Sequence, residues 1–258
     1  FADHFSQATL FWNSQTPVEQ NHIVNAFRFE LGKVETPAVV ERVVALLSYV
    51  DATLAARVAE GLGIPAPGAP RWTSPPVTSE VAASPPLSLL ARPGETGIRT
   101  RKVAFLVADG VDGAVLQSAR DALKTAGATV VIVGARVGPV QADGAPVARA
   151  EASLLTMPSV LFGAVFIPGG DAPIAALVAD GRAVEFVRDA FRHCKSICAI
   201  GAGSKLLQEA KLVADPFART APGVVVSDAS GVQNAVAEFI QDIAQHRHWA
   251  RETDPPRI

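Results

Sequence analysis

The spacing of apolar positions changes twice along the 258-residue chain. Up to residue 63 it is helical. Val39, Val43, Leu46, Leu47 and Val50 fall on one helix face, and Asp51 can cap a following helix, ATLAARVAEGLG, that stops at glycine. Pro17 and Pro37 each follow a threonine and stand where a helix can begin, because a first-turn N–H has no intrahelical partner to lose. Residues 64–98 lose all periodicity and hold eight of the 19 prolines. Proline removes backbone donors and disfavours helix before it, so this stretch is predicted to be an extended, semi-rigid connector. Trp72 and the LSLL segment (87–90) could pin it to neighbouring surfaces, with a solvated linker as the alternative.

From Arg99 the pattern changes again. RKVAFLVADG (101–110) reads as a buried strand ending in a turn, VLQSARDALKTAG (115–127) as an amphipathic helix, and ATVVIVG (128–134) as a second buried strand. FGAVFIPGG (162–170) supplies another strand, followed by helices near 173–179 and 183–192. The SICAI strand, the GSKLL helix start, a VVVS strand (224–227) and a last helix over roughly 231–248 complete the series. Strands without polar alternation, separated by helices, predict an α/β fold with a doubly wound parallel sheet covered on both faces. Three segments follow: helical 1–63, proline-rich 64–98 and α/β 99–258. In such a sheet the turns ADGVDG, IPGGDA and AIGAGS converge beyond the strand C-terminal ends.

Composition narrows the function classes. At 49% hydrophobic the chain can bury a sizeable core, and a net charge of −2 with scattered arginines gives no nucleic-acid footprint. No apolar stretch approaches the roughly 20 residues of a membrane span, and FADHFSQATLFWNSQ lacks a basic start and a small-residue cleavage site, so a cytoplasmic protein is expected. Cys194 and Cys198 lie four apart, about 13 Å along an extended chain, too far for a disulfide. Reduced thiols are the simpler account, and five scattered histidines give a metal site little support.

The segment CKSICAIGAGSKLL (194–207) has the strand–turn–helix form on which α/β enzymes hold a nucleophile beside oxyanion-stabilising N–H groups. Together, ADGVDG, FIPGG and this segment resemble the class I glutamine-amidotransferase-like superfamily, a flavodoxin-like fold whose members include cysteine-dependent peptidases, glyoxalases and stress proteins. The resemblance implies a cysteine at the turn and, commonly, a glutamate from the first βα turn. A gapless placement on GSKLL puts Ile200 at the cysteine position, and counting from ADG puts Val115 at the glutamate position. Neither side chain can attack a carbonyl or carry a proton, so no catalytic, cofactor-binding or metal residue is expected. Cys198 sits two residues earlier on the same strand face, about 6–7 Å back inside the sheet layer, and is the runner-up nucleophile in a shifted register. Asp109, Asp112 and Asp171 could bring carboxylates to the same edge, although caps or solvated loop residues are the commoner role for such acids. IPGGD lacks the GxGxxG and GK[ST] patterns of phosphate loops and reads as a tight turn.

The helical block carries a second resemblance. FSQATLFWNSQTPVEQNHIVNAFRFELGKV (5–34), followed by VVERVVALLSYVDATLAARVAEGLG, is similar to the segment after the β-barrel in large-subunit haem catalases, which continue through a wrapping linker into an amidotransferase-like domain. The resemblance implies a non-catalytic C-terminal region. That region would support subunit stability, homotetramer assembly against the barrel and neighbouring subunits, and the access route to haem in a parent that disproportionates hydrogen peroxide. No haem is expected in this chain: Tyr49 lies in LLSYVDA without the arginine-bearing context of a proximal ligand, and His4 and His22 read as surface or interface residues. A start at Phe1, a single methionine at Met157, and the aromatic and apolar residues Phe5, Leu10, Phe11, Trp12, Phe27 and Phe29 fit a chain whose partner surface lies elsewhere. Two alternatives stay open: a cysteine-dependent hydrolase or glyoxalase using Cys198, and chaperone-like holding of unfolded client proteins.

Overall fold

The structure, a computed structural model, describes residues 3–68, 80–91, 97–144, 146–212 and 221–252. Phe1 and Trp72 lie outside the described residues. The chain divides into two units, Phe1–Glu95 and Thr96–Ile258.

The first unit contains α1 (Ser6–Ser14), α2 (Pro17–Leu31), α3 (Pro37–Leu47) and α4 (Ala52–Leu62). Pro17 and Pro37 open α2 and α3, Asp51 caps α4 by accepting from Leu54 N–H at 2.8 Å, and Gly63 ends α4 in the left-handed region. Trp12, Val24, Val44, Leu54 and Val58 form a small core, so Trp12 finds its burial within the unit. Phe11 and Phe29 remain 45% and 67% exposed.

The connector is anchored at LSLL. Glu19, third residue of α2, closes a capping box with Thr16 and also reaches this segment: Ser88 Oγ donates to Glu19 Oε2 at 2.7 Å, and the N–H groups of Leu89 and Leu90 donate to Oε1 at 2.9 and 3.3 Å. Burial opposes ionisation, but the hydrogen bonds from Ser88, Thr16 and Leu89 outweigh it and hold the carboxyl at about 2. Because that value lies below the ordinary 4.5, the stabilisation is present above pH 4.5 and is lost as pH falls towards 2. Glu19→Gln is therefore expected to cost about 1–3 kcal/mol at pH 7. In thermal unfolding followed against pH, the gap between wild type and variant should narrow below pH 4.5; a constant gap would contradict the ionised bridge.

The second unit runs β1 (Lys102–Leu106), β2 (Val111–Asp112), α5 (Gly113–Thr125), β3 (Thr129–Gly134), β4 (Gly138–Val140), β5 (Ala142–Asp143), β6 (Ala148–Ala150) and β7 (Ala152–Ser153). It continues through β8 (Ala164–Ile167), α6 (Asp171–Ala179), α7 (Gly181–Arg192), β9 (Ser196–Ile200), α8 (Ser204–Glu209), β10 (Val224–Ser227) and α9 (Val232–Ala244). The main sheet has the order β10-β9-β8-β1-β3-β7 with every pairing parallel. Strand residues alternate between two cores. Val103, Phe105, Phe166 and Cys198 pack with α5 and α9, whereas Ala104, Leu106, Val165, Ile167 and Ala199 pack with α6, α7 and α8. Burial on both faces explains why these strands read as continuous apolar runs. The last helix stops at Ala244, short of the expected 248, because the chain turns at His246, whose φ is +67°.

Candidate functional site

Chain order reverses between β1 and β8, and the crevice beyond their C-terminal ends is where a doubly wound sheet places a ligand. The expected convergence of three turns can be seen in backbone distances. A Cβ built on Gly169 would lie 2.8 Å from Ile200 O, and one built on Gly170 would lie 2.9 Å from Gly110 O, so IPGG must be side-chain-free to nest between its neighbours. The turns enclose a cavity of about 410 Å³ lined by Asp112, Asp171, Ile200, Gly201, Ser204 and Lys205, among others.

The left-handed residue of the corner lies one position after Ile200, on which the gapless placement puts the family's cysteine. Ile200 keeps strand geometry (φ −110°, ψ 133°), pairs with Ser227 of β10 and is 1% exposed. Gly201 is the left-handed residue, at φ +54°, and nothing lies within 4 Å of a Cβ built on it. The bend thus presents a hydrogen atom to the cavity where a nucleophile elbow presents sulfur or oxygen, and glycine has no group to react. The GAG spelling itself signals this, since φ above zero is glycine's preference.

Cys198 is 0% exposed and belongs to the apolar core under α9. Burial, and secondarily the charges of Glu238 and Asp242, push its thiol well above the ordinary value, opposite to the shift that activates a thiolate. Val115 is buried in the same core. The carboxylates are occupied. Asp112 caps α5 by accepting from Ala114 and Val115 N–H, Asp109 accepts from Gln141 N–H at 2.9 Å, and Asp171 pairs with Lys205 at 3.1 Å while 88% exposed. Asp112 and Asp171 line the cavity with Ile200, whereas Asp109 is not part of that lining. Ser204 is a cavity hydroxyl that the sequence reading passed over, and it donates to Gly201 O at 3.0 Å, stapling the turn. A Ser–His pair does occur, Ser196 Oγ to His248 Nε2 at 3.0 Å, but Ser196 is fully buried at the other end of β9. In the helical unit Tyr49 stacks on Phe5 with ring centroids 4.9 Å apart, His4 is exposed and His22 half-buried. Among the described residues no group of three or more metal-ligating side chains comes together. No helix of the described residues is long and apolar enough to cross a membrane.

Residues 99–253 match the family model described as the C-terminal domain found in long catalases, and residues 1–62 match one described as catalase-related immune-responsive. The chain is 39% identical to Catalase HPII of Pseudomonas putida, an alignment covering 98% of this chain and 34% of that protein. It is 38% identical to Catalase-2 of Bacillus subtilis, over 97% of this chain and 34% of the relative, and 35% identical to Catalase-1 of Neurospora crassa, over 98% and 36%. The chain spans about a third of the length of the curated relatives it matches.

Proposed function

Since the chain belongs to the family of long-catalase C-terminal domains, we propose that it acts as a non-catalytic accessory portion of a longer haem catalase, stabilising the subunit and its assembly. The observation that carries this reading is the glycine bend: three turns converge on one cavity, and the left-handed residue of the corner there, Gly201, has no side chain that could react. The longer protein would disproportionate hydrogen peroxide through chemistry housed in the two-thirds of the relatives' length that this chain does not span.

The side chains present do not fit a haem. Tyr49, the only tyrosine of the chain, lies with its ring stacked on Phe5, so no step of peroxide chemistry is assigned to this chain. Exposed Phe11, Phe29 and Leu46 on the helical unit give the rest of the subunit apolar surface to cover, consistent with support of a homotetramer and of the route to the haem. The 258-residue chain alone, incubated with haemin and purified, is expected to show no Soret band beyond free haemin and no oxygen evolution from peroxide. The whole catalase lacking this portion should lose several degrees of thermal midpoint or its tetrameric state. Oxygen evolution by the isolated chain, or an unchanged midpoint and assembly after deletion, would overturn the reading.

A further inference from the structure

A second concentration of polar groups lies at the opposite, N-terminal edge of the sheet. α7 ends at Arg192, and the chain turns through Cys194, at φ +57°, to enter β9 by way of Lys195. After α9, the turn at His246 brings residues 247–251 back beneath β9. His248 N–H donates to Cys194 O at 2.8 Å, and Arg251 Nη2 donates to Lys195 O. Between these two returns lies a cleft of about 310 Å³ whose walls include Arg192, His193, Cys194, Lys195, Arg247 and Trp249.

Among the described residues, positive charge gathers there with mostly neutral partners: Arg247 Nη1 donates to His246 O at 2.8 Å. Lys195 is only 2% exposed, its Nζ donates to Ser159 O at 2.6 Å, and it makes no ion pair among the described residues. Burial and the neighbouring Arg247 lower it to about 8. Burial and then Arg101 lower Arg247 in turn. Behind the wall, Arg251 stacks over Phe191 at 4.5 Å with Nε and Nη1 buried and without a hydrogen-bond partner. Among the described residues the carboxylates acting on these cations are Asp189, 3.8 Å from Arg192 and also acting on Lys195, Glu252 on the cleft rim, and Asp242, which acts on Arg251. Cations crowded around a concave space and partly stripped of water hold a field that a bound anion relieves.

We propose that this cleft binds a small oxyanion of the phosphate class, free or as a phosphate monoester. A tetrahedral dianion offers enough acceptors for the Arg192 and Arg247 forks and for Lys195 together, which a single carboxylate does not. The cleft is larger than inorganic phosphate needs, and the Trp249 indole gives the remainder of a monoester an apolar wall.

Isothermal titration of the full 258-residue chain at pH 7 tests this with sodium phosphate, glycerol phosphate and sodium chloride at matched ionic strength. Saturable one-to-one binding of phosphate or the monoester, with none for chloride, is expected, and the tighter of the two identifies the source. Arg247→Gln should weaken binding about tenfold or more, and Glu252→Gln, which removes a like charge from the rim, should tighten it several-fold. Should Arg247→Gln fail to give a native circular dichroism spectrum, Arg192→Gln on the exposed rim takes its place with the same expectation. Absence of saturable binding in the wild type, an equal response to chloride, or binding indifferent to these substitutions would overturn the proposal.

Discussion

Alkylation of the folded chain at pH 7 is expected to leave Cys198 unmodified while a cysteine introduced as Gly201→Cys reacts like a free thiol, a rate difference of about 10³ or more. Cys198 is 0% exposed and its thiolate is disfavoured by burial, so reagent reaches it only through opening of the core beneath α9. Such openings in a core strand approach the global unfolding free energy, and each 1.4 kcal/mol removes a factor of about ten. Gly201 is the reverse case. Its Cβ would project into open space at the cavity, and the only penalty is the left-handed backbone, about 1–2 kcal/mol for a non-glycine residue. Peptide mapping by mass spectrometry reads Cys194, Cys198 and the new thiol separately. Rapid labelling of Cys198 in the folded chain would revive the cysteine-enzyme alternative; protection of the new thiol would mean that the bend does not face the cavity. Restoring sulfur is not expected to restore catalysis, because Val115 stands where the amidotransferase-like resemblance places an acid and Asp112 is engaged at the α5 N-terminus.

How far the chain could be read in advance follows from where each instruction resides. β9 was legible as SICAI because five consecutive buried residues between two helical patterns have few other interpretations, and β10 as VVVS for the same reason. β7 was not. It is two residues long, and its place at the sheet edge is set by pairing Val133 with Ala152 and Gly134 with Ser153, a partner choice that no local propensity encodes. The antiparallel β4–β6 ladder escaped similarly, its three-residue strands carrying no period. The corner is legible as a glycine-rich turn, and its left-handed residue is Gly201, one position after Ile200. Counting from GSKLL fixes a register, whereas backbone geometry fixes which residue must be left-handed, and glycine rather than isoleucine accepts that state. The cationic cleft had a visible trace in RHCK and HRHW, two basic clusters more than fifty residues apart. Their meeting depends on the left-handed turn at His246, which sequence does not announce for a non-glycine residue.

That returning segment packs closely on Gly223, and Gly223→Ala is expected to displace it at a cost of about 3–5 kcal/mol. Gly223 precedes β10 at φ +72°, and its carbonyl accepts from Ile197 N–H at 2.8 Å, so it starts the β9–β10 ladder. The His248 ring lies against its Cα: a built Cβ would come 2.0 Å from Cδ2 and 2.3 Å from Nε2, distances at which two atoms cannot coexist. The ring must leave. Its Nε2 contact with the buried Ser196 hydroxyl is lost with it, and Ser196 is left without that partner inside the core. A double-mutant cycle separates the two causes. Beside His248→Ala the collision disappears, so the added cost of Gly223→Ala should fall to the backbone term, about 1–2 kcal/mol. Because Arg247 and Trp249 flank His248 and line the cleft, the single Gly223→Ala variant should also lose phosphate affinity in proportion to how far the segment moves. Denaturant unfolding monitored by tryptophan fluorescence measures the stability arm; equal costs for Gly223→Ala with and without His248 would show that the ring does not occupy this position.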